Sequence, residues 1–167
     1  STGIGGGIVS QGRLLAGRAG LAGHVGLLTG PDGGAPVEDL ASGRWIAAEA
    51  ARIGKPADPR GVFAAAQAGE TWADAIVDTS ARRLAALCRN VQALIAPEVV
   101  VIGGGIGLAA GYLDRVRTCL APLSDLFRPQ IAAAALGDEA GVIGVAALAG
   151  ADERPDEMTQ STRERLT

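Results

Sequence analysis

The sequence has few aromatic residues and no excess of positive charge. Only five of its 167 residues are aromatic although 48% are hydrophobic, so a core must be built mainly from alanine, valine, leucine and isoleucine. A formal charge of −3 gives no electrostatic argument for a nucleic-acid partner. The length is typical of one domain that can bury most of its apolar surface.

Cysteines and long apolar runs are also scarce. Cys88 and Cys119 both lie within apolar helical patterns, and their separation fits neither a metal-binding cluster nor a disulfide framework. No apolar run reaches the ~18–20 residues that a membrane span needs, and no signal-peptide pattern is present. These absences predict a cytoplasmic protein that has no membrane partner.

Hydrophobic periodicity predicts an α/β fold in which helices cover a sheet. The longest predicted helix is 71–95, whose apolar residues recur mainly three, four or seven apart before Pro97 ends it. Ser42 and Asp58 are predicted to cap the starts of two shorter helices. The continuous apolar run at 99–102 predicts a strand buried on both faces, as central parallel strands are.

Other elements are predicted less distinctly. Strands are expected at 2–9 and 13–15, joined as a hairpin, and at 24–28 and 130–136; helices are expected at 36–41, after residue 105 and from 138 onward. The structured domain is predicted to cover 1–150, and the charged segment 151–167 is predicted to be a disordered tail.

The glycines at the start of the sequence are its most informative feature. Gly3 and the run from Gly5 to Gly7 stand among β-branched residues, and glycine leaves nothing to pack in a strand. Another group is therefore expected to lie against the bare backbone. Consecutive N–H groups suit a phosphate, and the hydroxyl of Thr2 adds a donor. The alternative is a tight hairpin in a glycine-rich domain.

A second glycine segment follows the predicted strand at 99–102. Gly103, Gly104 and Gly105 stand between that strand and a helix, where α/β folds bind ligands. The segment lacks both the lysine of a Walker A loop and the later glycine of a dinucleotide fingerprint. Its glycines could simply allow close packing of strand and helix. Together, the two segments favour a divided nucleotide site.

Four glycine-containing motifs follow one another along the chain: STGIGGG (1–7), GLAGHVG (20–26), VEDLASG (37–43) and VVIGGG (100–105). This order resembles that of the ROK family of sugar kinases and repressors. The chain resembles this family over roughly 1–150, and its GLAGH and GVIGVAAL segments resemble the bacterial kinases of N-acetylmannosamine. The resemblance implies the carboxyl-terminal lobe of a two-lobed, actin-like ATPase fold, which is ribonuclease H-like.

The resemblance also implies a nucleotide site. Thr2, Gly3 and the run Gly5 to Gly7 would hold the phosphates of ATP with its magnesium ion, and Gly103 to Gly105 would lie beside the adenosine. The family's first phosphate motif and its catalytic Asp, which stands in an Asn-Asp pair, are expected upstream of residue 1. No catalytic residue is therefore assigned within this sequence.

Two residues are expected to hold the sugar. His24 takes the place of the glutamate that binds sugar hydroxyls in most of the family, and Glu38 matches a second sugar-binding carboxylate. Both side chains can accept hydrogen bonds from hydroxyls. The alternatives are that His24 is a hydrogen-bonded buried side chain and that Glu38 is a favourable first-turn acid of a helix.

The family's zinc site is not matched. Leu27 replaces its histidine ligand, and the segment 29–36 contains no cysteine. Tetrahedral zinc cannot be bound by what remains, so the sequence predicts no zinc.

The activity implied by the resemblance is ATP-dependent phosphorylation of the 6-hydroxyl of N-acetylmannosamine. This chain would supply the binding half, with a separate amino-terminal lobe as its partner, and would form a homodimer. The alternatives are the sugar-sensing domain of a ROK repressor and a glucokinase, which His24 disfavours.

Overall fold

The computed structural model describes residues 3–29 and 34–152. Residues up to Ala134 form one compact unit, and the residues from Ala135 onward form a second. The helices are α1 (Glu38–Ala41), α2 (Gly43–Arg52), α3 (Pro59–Gln67), α4 (Thr71–Ile95), α5 (Gly104–Gly107), α6 (Tyr112–Leu120) and α7 (Ala140–Asp152). The strands are β1 (Val9–Ser10), β2 (Arg13–Leu14), β3 (Val100–Ile102) and β4 (Ile131–Ala133).

Helix α4 is the centre of the first unit. It has the predicted bounds, and α1, α2, α3 and α6 all pack against it. Its buried face includes Val77, Ala81 and Cys88, which lie in a core shared with α2, α3 and α6. Leu94, predicted on this face, is 75% exposed because the packed helices leave the last turn of α4 uncovered.

The two predicted helix caps are confirmed. The Ser42 hydroxyl accepts a hydrogen bond from the backbone N–H of Trp45 at the start of α2. The Asp58 carboxylate accepts from the N–H groups of Arg60 and Gly61 at the start of α3. Each cap satisfies donors that a helix N-terminus leaves unpaired.

The amino-terminal hairpin is much shorter than predicted. Only β1 and β2 pair, with Val9 opposite Leu14, across a turn in which Gln11 and Gly12 both have positive φ. A two-residue turn of this kind matches the twist of a hairpin. The strand predicted at 24–28 is wrong: Val25–Leu27 form a 3₁₀ turn.

Strands β3 and β4 are parallel, with Val101 opposite Ala132. The prediction that the strand at 99–102 is buried on both faces is wrong, because Val101 is 58% exposed. Among the described residues, β4 is the only strand beside β3. The α/β alternation is confirmed, but packing of helix on helix supplies most of the core.

The second unit contains a 3₁₀ turn at Gly137–Glu139 followed by α7, so the predicted final helix begins two residues late. The first two residues of the predicted tail 151–167 belong to α7, and the others lie outside the described residues. Among the described residues, no helix combines the length and apolar character that crossing a membrane requires.

Candidate functional site

Both glycine segments border one cavity of about 800 Å³. Residues 3–11 line one part of it, and residues 95–103 line another. The structure therefore places Gly3, Gly5 to Gly7 and Gly103 around one cavity. That this cavity binds a nucleotide stays a prediction. Gly104 and Gly105 are not among the lining residues, and Thr2 lies outside the described residues.

The backbone of Gly5, Gly6 and Gly7 is exposed at this cavity. Within the described part of the chain, their N–H groups donate no hydrogen bond. Three consecutive unpaired donors without side chains suit an anion that carries several acceptor oxygens.

The glycines of the first segment differ in what their missing side chains would meet. A Cβ on Gly6 would lie 2.7 Å from the carbonyl oxygen of Gly23. A Cβ on Gly3 would lie 2.6 Å from Oε2 of Glu38. A Cβ on Gly5 would have nothing within 4 Å. Packing against a fixed backbone carbonyl therefore explains Gly6, whereas the contact at Gly3 is with the end of a flexible side chain. Gly5 is a position where space is left for a ligand.

Packing explains much of the second segment. A Cβ on Gly103 would lie 3.0 Å from the Cβ of Ala134, and one on Gly107 would lie 2.6 Å from Cγ2 of Ile102. Gly104 has a φ of +77°, a conformation that favours glycine. Gly107 thus lets α5 pack on β3, and Gly103 lets the chain after β3 approach Ala134. The packing alternative considered from the sequence therefore applies to Gly103.

The lining fits ATP with magnesium in its donors and its size. The volume is in the range of small-molecule pockets, and the only charged side chain among the described lining residues is Glu98. With no arginine or lysine there, the phosphate charge would be balanced by backbone donors and a cation. Carboxylates and phosphate oxygens are ligands that magnesium prefers.

Glu38 lies against the first glycine segment. It begins α1, is partly buried, and accepts a hydrogen bond from the backbone N–H of Ile4 at 3.4 Å. His24 is exposed at the start of the 3₁₀ turn, and its side chain makes no capping hydrogen bond. His24 is therefore not a buried core side chain, which was one alternative. Neither residue lines the 800 Å³ cavity.

Sequence reasoning missed the polar contacts that hold α1. The Ser80 hydroxyl donates to the carbonyl oxygen of Ala41 at 2.8 Å and lies 2.8 Å from the Tyr112 hydroxyl. Arg83 donates to the carbonyl oxygen of Leu40 at 2.6 Å. The sequence signal for these contacts was Ser80, a polar residue on the apolar face of α4.

Two buried acids have raised pKa values. Burial raises the pKa of the Cys88 thiol to about 11. Burial also raises the pKa of Tyr112 to about 12, although its hydrogen bond with Ser80 acts in the opposite direction. Both groups are therefore neutral near pH 7 and serve packing and hydrogen bonding. Among the described residues, no group of three or more His, Cys, Asp or Glu could hold a metal ion; the absence of zinc stays a prediction.

The chain is similar to named bacterial enzymes. It is 51% identical over 151 residues to the bifunctional enzyme NanE/NanK of Brucella melitensis, covering 89% of this chain and 29% of that protein. It is 45% identical over 161 residues to the N-acetylmannosamine kinase of Citrobacter koseri, covering 92% of this chain and 56% of that protein. The chain thus spans about half the length of that kinase.

Solved structures show the same fold. The ROK hexokinase of Thermus thermophilus has a TM-score of 0.75 at 35% identity, covering 90% of this chain and 56% of that one. The ROK family glucokinase of Streptomyces griseus was solved with glucose and AMPPNP. It has a TM-score of 0.77 at 28% identity, covering 88% of this chain and 57% of that one. The actin-like α/β fold expected from the sequence is confirmed. Because the family model described as "ROK family" matches residues 1–152, the chain belongs to the ROK family.

Proposed function

We propose that this chain is the nucleotide- and sugar-binding part of an ATP-dependent kinase that phosphorylates the 6-hydroxyl of N-acetylmannosamine. The observation that supports nucleotide binding is the cavity bordered by both glycine segments. There, Gly5, Gly6 and Gly7 present three unpaired N–H groups. A triphosphate has the charge and the acceptor oxygens that such an array binds.

The choice of sugar rests on the relatives and on Glu38. Relatives that are 43–51% identical are named for N-acetylmannosamine kinase or for NanE/NanK. Glu38 offers a carboxylate oxygen beside the glycine segment, and His24 is exposed and able to accept a hydrogen bond. A carboxylate and an imidazole nitrogen can each accept from a sugar hydroxyl, and Glu38 brings the sugar next to the phosphates.

Each residue set has a distinct part in the reaction. Bound ATP with magnesium supplies the phosphoryl group. The N–H groups of Gly5 to Gly7 would hold the phosphates in place, while His24 and Glu38 would orient the sugar. Positioning of this kind accounts for most of the catalysis in phosphoryl transfer. The base is expected in an amino-terminal lobe, since the printed sequence has no Asn-Asp pair.

The test is a sugar-dependent ADP-release assay on the complete gene product, beside the chain 1–167 alone. We expect the complete gene product to turn over N-acetylmannosamine and the chain alone to show background rates. NMR of the reaction should show a sugar phosphorylated at the 6-hydroxyl. Preference for glucose would favour the glucokinase alternative. Sugar-dependent DNA binding without turnover would favour the repressor. Light scattering on the same sample tests the homodimer that the family resemblance implies.

A further inference from the structure

Helix α1 connects the first glycine segment to α4. At its start, Glu38 Oε2 accepts from the N–H of Ile4, and a Cβ on Gly3 would lie within 2.6 Å of the same oxygen. The carboxylate proposed to bind the sugar is therefore already in contact with the segment proposed to bind the phosphates. Movement of this carboxylate would therefore change its hydrogen bond with the backbone N–H of Ile4.

The end of α1 is held by α4. Arg83 donates to the carbonyl oxygen of Leu40, and its guanidinium lies 4.5 Å from the ring centre of Trp45. Ser80 donates its one hydroxyl proton to the carbonyl oxygen of Ala41, because a carbonyl can only accept. Tyr112 must then donate to Ser80. A chain of hydrogen bonds thus runs from α6 through α4 to α1.

These contacts matter because α1 is only four residues long and has no side-chain cap. Such a helix is not stable alone, so its position depends on what holds its carbonyl groups. Of the two residues of α4 that hold it, Ser80 is fully buried, and removing its hydroxyl would leave buried partners unpaired. Arg83 is only partly buried, so it can be changed with less effect on folding.

We propose that Arg83 is a positioning residue that couples the sugar and nucleotide sites by fixing α1, so that Glu38 stays against the first glycine segment. This proposal rests on the proposed function, since it assumes that Glu38 binds the sugar. A sugar that orders the Glu38 carboxylate would also order Ile4 and the phosphate-binding backbone. Each ligand would then raise the affinity for the other by the same factor.

The test measures this coupling factor by calorimetry on the complete gene product. The dissociation constant of AMPPNP with magnesium is determined without and with saturating N-acetylmannosamine. We expect a factor of at least about 5 in the wild type, the lower end of typical couplings. In Arg83→Met the factor should fall well below the wild-type value, because only Ser80 then holds the end of α1. Arg83→Lys should restore part of it because lysine can still donate to the carbonyl oxygen of Leu40.

Arg82→Met is the matched control. Arg82 is the neighbouring arginine of α4, but it is exposed and pairs with Asp78 and Thr79 on the same helix. It should keep the wild-type factor. A wild-type factor of 1, or an Arg83→Met factor equal to that of the wild type, would overturn the proposal.

A second variant changes the contact at the start of α1 instead of the one at its end. Gly3→Ala places a methyl group against Glu38 Oε2 without touching α4, and it should lower the coupling factor even if Arg83→Met fails to fold. An unchanged factor in Gly3→Ala would also count against the proposal. If the wild type binds neither ligand, the proposed function itself fails; if it binds both without coupling, only this inference fails.

Discussion

The backbone at Gly6 packs directly on the carbonyl oxygen of Gly23, which a Cβ at position 6 would approach to 2.7 Å. Its neighbour Gly5 has open space at the same position. Two adjacent glycines of one motif are thus needed for different reasons. Gly6 is required by the fold, and Gly5 is required only if a ligand lies against it.

This difference predicts opposite results for two alanine substitutions. Gly6→Ala should lower the free energy of unfolding by about 1–3 kcal/mol, because a backbone carbonyl cannot move aside as a flexible side chain can. Gly5→Ala should leave stability unchanged or slightly raised, yet weaken AMPPNP binding at least tenfold in the complete gene product. Thermal melts and calorimetry on both variants separate the two effects. Unchanged AMPPNP affinity in Gly5→Ala would contradict the phosphate assignment.

Glu38→Gln should weaken sugar binding roughly tenfold to a hundredfold, since a neutral amide replaces an ionised acceptor worth about 1–3 kcal/mol. The amide oxygen can still accept from Ile4, so nucleotide affinity should change little. Asp39→Asn is the matched control, because Asp39 is the next residue of α1 and pairs with the exposed Arg44. Steady-state kinetics check both variants. Equal sugar affinity in Glu38→Gln and wild type would remove the sugar role of Glu38.

His24→Leu should weaken sugar binding and leave the melting temperature unchanged, because the His24 side chain is exposed and caps no helix. His24→Glu should shift preference toward glucose if this position selects the sugar. Kinetics with both sugars, beside thermal melts, test this. A lower melting temperature at unchanged sugar affinity would assign His24 a purely structural role.

The buried thiol of Cys88 predicts a loss of stability at high pH. The pKa of this thiol in the folded chain is about 11, above the ordinary value of 9.0. Its contribution to the free energy of unfolding is therefore complete below pH 9 and is lost as pH rises through 11. The free energy of unfolding should fall by about 1 kcal/mol between pH 8 and 10 through this group. Cys88→Ala should remove that part of the decrease. Urea unfolding at both pH values measures this decrease. Tyr112→Phe is the control, because it removes the phenol, whose pKa of about 12 lies above that of Cys88.

Metal analysis tests the prediction that no zinc is bound. The zinc content after dialysis should be far below one atom per chain, since Leu27 stands at the expected histidine position and 29–36 has no cysteine. About one zinc per chain would contradict this. Addition of a chelator should leave the melting temperature unchanged.

The elements with strong local signals were predictable from sequence. The apolar period over 71–95, with Pro97 beyond it, gave α4 its correct bounds, and the side chains of Ser42 and Asp58 act as expected caps. The strands were predicted less well. Their pairing depends on distant partners, and a β-branched run such as 99–102 does not reveal how many neighbours it will have.

The candidate site was also predictable from the sequence only in part. Glycine motifs predicted a phosphate site, but the sequence could not separate Gly5 from Gly6, since only the fold places Gly23 against one of them. The contact between Glu38 and Ile4 joins residues 34 apart and has no local signal. The same holds for Arg83, whose hydrogen bond goes to a carbonyl group 43 residues away.

The stacking of Arg83 on Trp45 has a spectroscopic consequence. The chain has two tryptophans, and the other, Trp72, lies below Lys55 and donates to Glu70. Trp72→Phe would leave Trp45 as the only indole in this sequence, with a cation 4.5 Å above its ring. Its emission would then respond to any movement of Arg83 relative to α2. If Glu38 binds the sugar as proposed, the fluorescence of one native side chain would report that binding without an added dye.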